Sequence, residues 1–177
     1  FGIKAMSIGF LVNEEQAIVW RGPMLAKGLD GLINKTIWGD LDYLIVDFPP
    51  GTGDVQISMS QKLKLDGTLI ITTPQLLSLK DVIRGINMFI KVDVPILGVV
   101  ENMSYLEEQN EKKYIFGESK TKSLLLKENI NLIEELPFNL NVPKSCDEGK
   151  PYCFDYKDDY SLKFENITNA ITKKFQS

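Results

Sequence analysis

The chain has 177 residues, of which 44% are hydrophobic and 25% are charged, and its formal net charge is −4. These values are typical of a soluble globular domain with one good core, and the acidic balance gives no reason to expect a nucleic-acid partner. Because the chain contains no histidine, histidine general bases and histidine metal ligands are excluded.

The first predicted element is a β-strand at Ile3–Val12. A turn follows, and the sequence Trp-Arg-Gly-Pro-Met then leads into a helix with Pro23 in its first turn. This predicted helix has apolar residues at helical spacing, namely Met24, Leu25, Leu29, Leu32 and Ile33. The pattern predicts one helical face that packs against a core.

The segment Leu41–Asp54 is the most informative part of the chain. A continuous apolar run predicts a buried parallel strand at Asp42–Asp47, closed by the Asp47 carboxylate. An acid at the carboxyl end of such a strand lies where open α/β sheets bind ligands. In nucleotide hydrolases an acid at this position holds Mg²⁺, directly or through water. The prolines and glycines of 49–54 predict a loop with two defined shapes, and Asp54 is the expected N-cap of a helix at 55–63.

Strands and helices continue to alternate after residue 65. The apolar patterns predict strands at 67–72, 94–100 and 131–135, and helices at 79–91, 120–129 and 161–175, with Ser78 capping the first of these helices. The charged stretch Leu106–Lys113 is interpreted as a solvated surface loop. The apolar face of the last helix is expected to cover the sheet, since its polar side is not strongly basic.

This alternation predicts an α/β fold, with a mostly parallel, doubly wound sheet and helices on both faces. One domain spanning 1–177 is expected. Polar or turn-forming residues follow the predicted strands at Asp47, Thr73, Asn102 and Pro137. Because the carboxyl ends of parallel strands meet at one edge, these residues are expected to line a common site.

Several segments together resemble one known family. They are IKAMSIGFLV at 3–12, VWRGPM at 19–24, DYLIVDFPPGTGDV at 42–55, ITTPQ at 71–75 and GVVENMSY at 98–105. The chain resembles the Mrp/ApbC-type P-loop ATPases, relatives of MinD that carry iron–sulfur clusters, over roughly residues 1–145. The resemblance implies ATP and Mg²⁺ as cofactors and an iron–sulfur cluster as a possible further one.

The resemblance also implies a phosphate and metal end of the site. Asp47 is similar to the Walker B aspartate that holds Mg²⁺ or its water. The loop Pro49–Asp54 resembles switch II, which senses the γ-phosphate, so Gly51, Thr52 and Asp54 are predicted to act with Asp47 in catalysis.

The base end of the implied site is carried by other residues. Asn102 resembles the asparagine that hydrogen-bonds the adenine edge, and Leu136 with Pro137 resembles the segment that packs on the base. Pro74 is a further predicted nucleotide contact, and Arg21 is predicted to lie near the nucleotide or the dimer interface. The plainer alternatives remain open: Asn102 as a turn cap, Pro74 as a strand terminator and Arg21 as a surface cation.

Two features depart from the family pattern. No Gly-Lys-Ser or Gly-Lys-Thr occurs, so the Walker A motif that cradles phosphate is expected upstream of Phe1 in the intact protein, with a genuinely truncated product as the alternative. These 177 residues alone are not expected to hydrolyse ATP. The interval 106–114 also lacks the family's Cys-x-x-Cys pair, and Cys146 and Cys153 do not form one. No iron–sulfur ligands are therefore identified.

The leading hypothesis is an ATP-binding and ATP-hydrolysing scaffold or carrier for iron–sulfur cluster assembly and transfer. Expected partners are a second copy in a homodimer and client apoproteins, with neither nucleic acid nor membrane. The cytoplasm is the expected compartment, with the mitochondrial matrix as alternative. The competing functions are a MinD/ParA-like positioning ATPase and a non-catalytic interaction module without a P-loop.

Overall fold

The computed structural model describes residues 1–11, 22–49, 51, 53–109 and 111–176. It divides into two compact units, Phe1–Leu65 and Asp66–Ser177. That the two units form one domain stays a prediction. The helices and strands in chain order are α1 Gly22–Asn34, α2 Asp54–Leu63, β1 Thr68–Thr72, α3 Leu76–Lys91, β2 Ile96–Glu101, β3 Leu106–Glu108, β4 Glu111–Lys113, α4 Thr121–Lys127, β5 Leu132–Glu135, α5 Asn141–Asp147, α6 Tyr152–Asp155 and α7 Asp159–Thr172, with 3₁₀ turns at Ile8–Phe10 and Lys173–Phe175.

The second unit is built on a parallel sheet with the strand order β1–β2–β5. The central strand β2 carries Gly98 at φ +150°, where an added Cβ would lie 2.6 Å from Ile133 of the neighbouring strand. A glycine is therefore required here, because the backbone is in a region that other residues avoid and β5 passes too close for a side chain.

Helices cover both faces of this sheet. Val99 is fully buried with Val82 and Ile86 of α3 and Leu125 of α4. The next residue, Val100, packs in a separate cluster with Ile167 of α7. Since successive side chains of a strand point to opposite faces, these two clusters lie on the two sides of the sheet. The doubly wound α/β fold is thus confirmed.

Most predicted elements after residue 65 are confirmed, with boundaries that differ by a few residues. The helix α3 begins at Leu76, and its N-cap is Gln75 rather than Ser78. The helix predicted at 161–175 begins earlier, at Asp159, because Asp158 caps it by accepting a hydrogen bond from the backbone N–H of Ser161. The predicted helix that contains Pro23 is also present, as α1.

The strands predicted at Ile3–Val12 and Asp42–Asp47 are wrong for the described residues. Residues 3–11 contain a 3₁₀ turn and no strand, and 41–49 form no ladder with any described residue. Ile45 is 91% exposed, whereas a strand interior to a sheet would bury it. An apolar run supplies the side chains for a strand, but the strand itself exists only through hydrogen bonds to a neighbour.

The loop predicted at Leu106–Lys113 is also wrong, because β3 and β4 form an antiparallel hairpin there. Glu107 lies opposite Lys112, and Glu108, which faces Glu111 across the hairpin, forms an ion pair with Lys113. The Lys112 ammonium also lies 4.1 Å from the centre of the Tyr105 ring. The charges that suggested a solvated loop therefore pair with one another along the hairpin.

Candidate functional site

The carboxyl edge of the three-stranded sheet brings together the predicted base-binding residues of the second unit. The backbone N–H of Asn102 donates to the carbonyl of Thr72 at 2.7 Å, so the residue after β2 stays paired with the end of β1. Thr73 and Pro74 follow directly and lead into α3. Asn102 and the turn that contains Pro74 therefore lie beside each other.

The β5 side of the same edge is equally well defined. The Leu136 N–H donates to the Glu101 carbonyl at 2.8 Å, and the Ser104 N–H donates to the Leu136 carbonyl at 2.8 Å. One step further, the Phe138 N–H donates to the Tyr105 carbonyl at 2.7 Å. These bonds extend the pairing of β2 and β5 beyond the strands, and they place Pro137 next to the Asn102 turn.

The Asn102 side chain is held in a tight turn. Its Oδ1 accepts a hydrogen bond from the Met103 N–H at 2.9 Å, and Met103 has the left-handed φ of +53°. The amide nitrogen of Asn102 makes no hydrogen bond to a described residue, and the side chain is half-buried. An oriented amide donor at this sheet edge is suited to a planar ligand with an acceptor nitrogen.

The predicted metal-binding carboxylate lies in the first unit. Asp47 is exposed and makes no ion pair with a described residue. Mg²⁺ usually takes one or two protein carboxylates and completes its shell with water and phosphate oxygens. An exposed single carboxylate fits that pattern, and no group of three or more His, Cys, Asp or Glu forms a protein-only metal site among the described residues.

The loop after Asp47 is anchored by a residue that the sequence analysis missed. Gln56 of α2 is 6% exposed. Its side-chain nitrogen donates to the Pro49 carbonyl at 3.0 Å, and its side-chain oxygen accepts from the Gly53 N–H at 3.0 Å. One amide thus joins both ends of the loop. Gly51, between these anchors, has φ +104°, which favours glycine.

Other predicted site residues have different outcomes. Arg21 and Thr52 lie outside the described residues. Asp54 is the first residue of α2, whose N-cap is Gly53, so the prediction of Asp54 as N-cap is wrong. Instead, the side-chain oxygen of Gln56, at the third helical position, accepts a hydrogen bond from the N–H of the N-cap Gly53. This is one half of a capping box.

The thiols of the described chain do not provide a complete cluster site. Cys146 is exposed and Cys153 is half-buried. Burial raises the pKa of the Cys153 thiol, which disfavours the thiolate that binds metal. Iron–sulfur clusters generally require four such ligands, so this chain alone does not fit a resident cluster.

No helix among the described residues is both long and apolar enough to cross a bilayer.

Comparison with known proteins gives a family match and similar sequences. A family model described as "ParA: NUBPL iron-transfer P-loop NTPase" matches residues 1–173. A Dictyostelium discoideum protein named iron-sulfur cluster transfer protein NUBPL is similar, with 45% identity over 99% of this chain and 55% of its own length. A Haemophilus influenzae protein named iron-sulfur cluster carrier protein is 43% identical over 85% of this chain and 41% of its own length.

A solved structure is similar as well. The nucleotide-binding protein from Archaeoglobus fulgidus, in complex with ADP, is 37% identical with a TM-score of 0.67, over 77% of this chain and 56% of that chain. The present chain spans about half the length of the curated relatives it matches.

Proposed function

Because this chain belongs to the ParA/NUBPL family of iron-transfer P-loop NTPases, we propose that its sheet edge binds the base of an adenine nucleotide in an iron–sulfur cluster carrier. The observation that carries the proposal is the backbone pairing that joins Thr72, Asn102 and Leu136. It places Pro74, Asn102 and Pro137 at one edge, as a base-binding site needs. The Asn102 amide is the donor to a ring nitrogen. Pro74 and Pro137 are themselves buried, so they shape the edge behind the base.

We further propose that Asp47 binds Mg²⁺ and that the loop 49–54 responds to the γ-phosphate. Mg²⁺, when bound, neutralises phosphate charge during phosphoryl transfer. The Asp47 carboxylate orients the ion, while Gln56 determines where the two ends of the loop lie. Loss of the γ-phosphate then allows the loop to change shape between its anchors.

In the proposed function the iron–sulfur cluster is the cargo, which passes to client apoproteins. The names of the Dictyostelium and Haemophilus relatives, one a cluster transfer protein and one a cluster carrier, support this function over a positioning ATPase. Since these 177 residues contain two cysteines, a cluster with four thiolates needs ligands from outside them. We propose a homodimer as the carrier, which sedimentation of the full-length gene product with ADP and with ATP would test.

Nucleotide binding tests the base site directly. In the full-length gene product that contains these residues, titration calorimetry should show ADP binding and weaker GDP binding. Asn102→Ala should weaken ADP binding about tenfold, since it removes one oriented hydrogen bond to the base. Asn169→Ala, an exposed asparagine of α7, is the matched control and should bind ADP normally. Absence of ADP binding by the unaltered protein would overturn the proposal.

The cargo is tested separately. After anaerobic reconstitution with iron and sulfide, the full-length protein should retain both elements and release them to an apoprotein acceptor. Pelleting with liposomes or DNA in the presence of ATP distinguishes the alternative. Strong nucleotide-dependent binding to either, without iron retention, would favour a positioning ATPase.

A further inference from the structure

Glu101, the last residue of β2, is a buried carboxylate that the proposed nucleotide chemistry does not use. Its exposed fraction is 0%. Its Oε1 accepts a hydrogen bond from the Ser104 hydroxyl at 2.5 Å. Its Oε2 accepts from the Ser119 hydroxyl at 2.5 Å and also from the Thr121 hydroxyl. A buried carboxylate is costly unless its oxygens are hydrogen-bonded, and here three hydroxyls meet that need.

These hydroxyls come from two separate parts of the chain. Ser104 belongs to the turn that carries Asn102, so its bond to Glu101 closes that turn over Asn102 and Met103. Ser119 and Thr121 lie at the start of α4, after the β3–β4 hairpin. The Ser119 hydroxyl also accepts from the Thr121 N–H at 3.1 Å, which orders the start of this helix. One carboxylate therefore joins the Asn102 turn to the segment Ser119–Thr121.

This arrangement depends on exact placement rather than on charge pairing. Among the described residues, no lysine or arginine forms an ion pair with Glu101. Hydroxyl hydrogen bonds are short and directional, so a displacement of either segment breaks them. Because Glu101 is fully buried, it cannot itself contact a nucleotide at the surface of the edge. It can act on the base only through Asn102.

We propose that Glu101 is a positioning residue that makes the orientation of Asn102, and hence adenine affinity, depend on Ser119 and Thr121. The inference rests on the proposed function, since it concerns the same base site. By linkage, a nucleotide that fixes the Asn102 turn also stabilises the start of α4. The start of α4 thus acquires an influence on nucleotide binding without touching the nucleotide.

The test compares base preference in the full-length gene product. Ser119→Ala and Thr121→Val each remove one hydroxyl, and Glu101→Gln removes the negative charge and offers an NH₂ group to the hydroxyls. The matched control is Ser123→Ala, whose hydroxyl bonds only the Lys120 carbonyl at 2.9 Å among the hydrogen bonds described. The readouts are the dissociation constants for ADP and GDP, and hydrogen exchange at 119–127 with and without ADP.

We expect the ratio of the GDP and ADP dissociation constants to fall about fivefold in Ser119→Ala and in Thr121→Val, as is typical of coupling within one network. ADP should protect 119–127 from exchange in the unaltered protein and in Ser123→Ala, and less so in the other variants. If these two variants keep the normal ratio and the normal protection, the inference is wrong even if they unfold more readily. If Glu101→Gln does not fold, the Ser119→Ala and Thr121→Val variants alone decide whether the inference holds. If the unaltered protein binds no ADP, the proposed function fails instead.

Discussion

The side chain of Gln56 donates to the Pro49 carbonyl at 3.0 Å, which ties the first turn of α2 back to the beginning of the loop at 49–54. The same amide accepts from the Gly53 N–H at the end of that loop. A buried amide that serves both ends of a loop limits the shapes the loop can take. It also leaves Gly51, midway between the anchors, as the place where the backbone can change.

The first prediction concerns this anchor. Gln56→Ala should lower the free energy of unfolding of the full-length protein by about 1–3 kcal/mol, because the Gly53 N–H and the Pro49 carbonyl lose their partner. Hydrogen exchange of the Gly53 amide should accelerate. Urea denaturation and exchange measured by mass spectrometry would check the two effects. Gln61→Ala, an exposed glutamine on the same helix, should stay within about 0.5 kcal/mol. Equal effects of the two substitutions would contradict the anchoring role.

The second prediction concerns the proposed metal ligand. In the full-length gene product, Asp47→Ala should lower the rate of ATP hydrolysis at least about a hundredfold, equivalent to about 3 kcal/mol of transition-state stabilisation. The physical reason is loss of the carboxylate that orients Mg²⁺ against the phosphates. Phosphate release with and without excess Mg²⁺ is the measurement. Asp42→Ala removes another exposed acid of the same segment and should leave the rate unchanged. Normal turnover in Asp47→Ala would remove Asp47 from the site.

The third prediction is a pH dependence of stability at the contact between α7 and β5. Lys163 lies 2.8 Å from Glu134 in a largely buried ion pair, and Asn166 donates to the same carboxylate. Burial alone would raise the pKa of Glu134, but the hydrogen bonds from Lys163 and Asn166 outweigh it and hold the pKa below the ordinary value of 4.5. The native carboxylate therefore binds a proton less readily than the unfolded one.

A depressed native pKa stabilises the fold above the unfolded pKa, and this contribution disappears as the pH falls through the native pKa. The free energy of unfolding should fall more steeply between pH 6 and pH 3 in the unaltered protein than in Glu134→Gln. Urea denaturation at several pH values would measure the difference. Glu165→Gln, an exposed acid on α7, should keep the unaltered dependence. A Glu134→Gln profile parallel to that of the unaltered protein would show that the ion pair contributes nothing.

The fourth prediction compares two glycines. Gly98→Ala should destabilise the protein by about 2 kcal/mol or more, because its Cβ would lie 2.6 Å from Ile133 and 3.0 Å from the Asn131 carbonyl at a positive φ. Gly85→Ala places a methyl group where nothing lies within 4 Å, inside α3. It should stabilise by about 0.5–1 kcal/mol. Thermal unfolding of both variants is the measurement, and a tolerated Gly98→Ala would contradict the register of β2 and β5.

Local pattern accounts for much of the second unit. Val99 and Val100 lie in a continuous apolar run, and the prediction that such a run is covered on both faces is confirmed by the separate clusters around them. The positions of Pro74, Asn102 and Pro137 also followed from strand ends, because the ends of parallel strands coincide at one edge. Their contact with a nucleotide stays a prediction.

Other features of the fold left no pattern in the sequence from which they could be predicted. The helices α5 and α6 have seven and four residues, which is too short for a periodic pattern to emerge. Gln56 and Glu101 are polar residues that gave no sign of burial, because their burial depends on partners that only folding brings into contact with them. The hairpin at 106–113 was hidden by its charges, whose mutual pairing is a property of the folded chain.

The sequence by itself determined where helices alternate with strands after residue 65, which faces are apolar and which residues end each strand, because side-chain periodicity is a local property. Only the tertiary structure decided whether an apolar run becomes a strand. The runs at 68–72 and 96–101 pair with each other in a β-ladder, whereas 42–47 form no ladder with a described residue. Strand formation and the burial of a carboxylate such as Glu101 both require partners brought from elsewhere in the chain, and no local pattern specifies those partners.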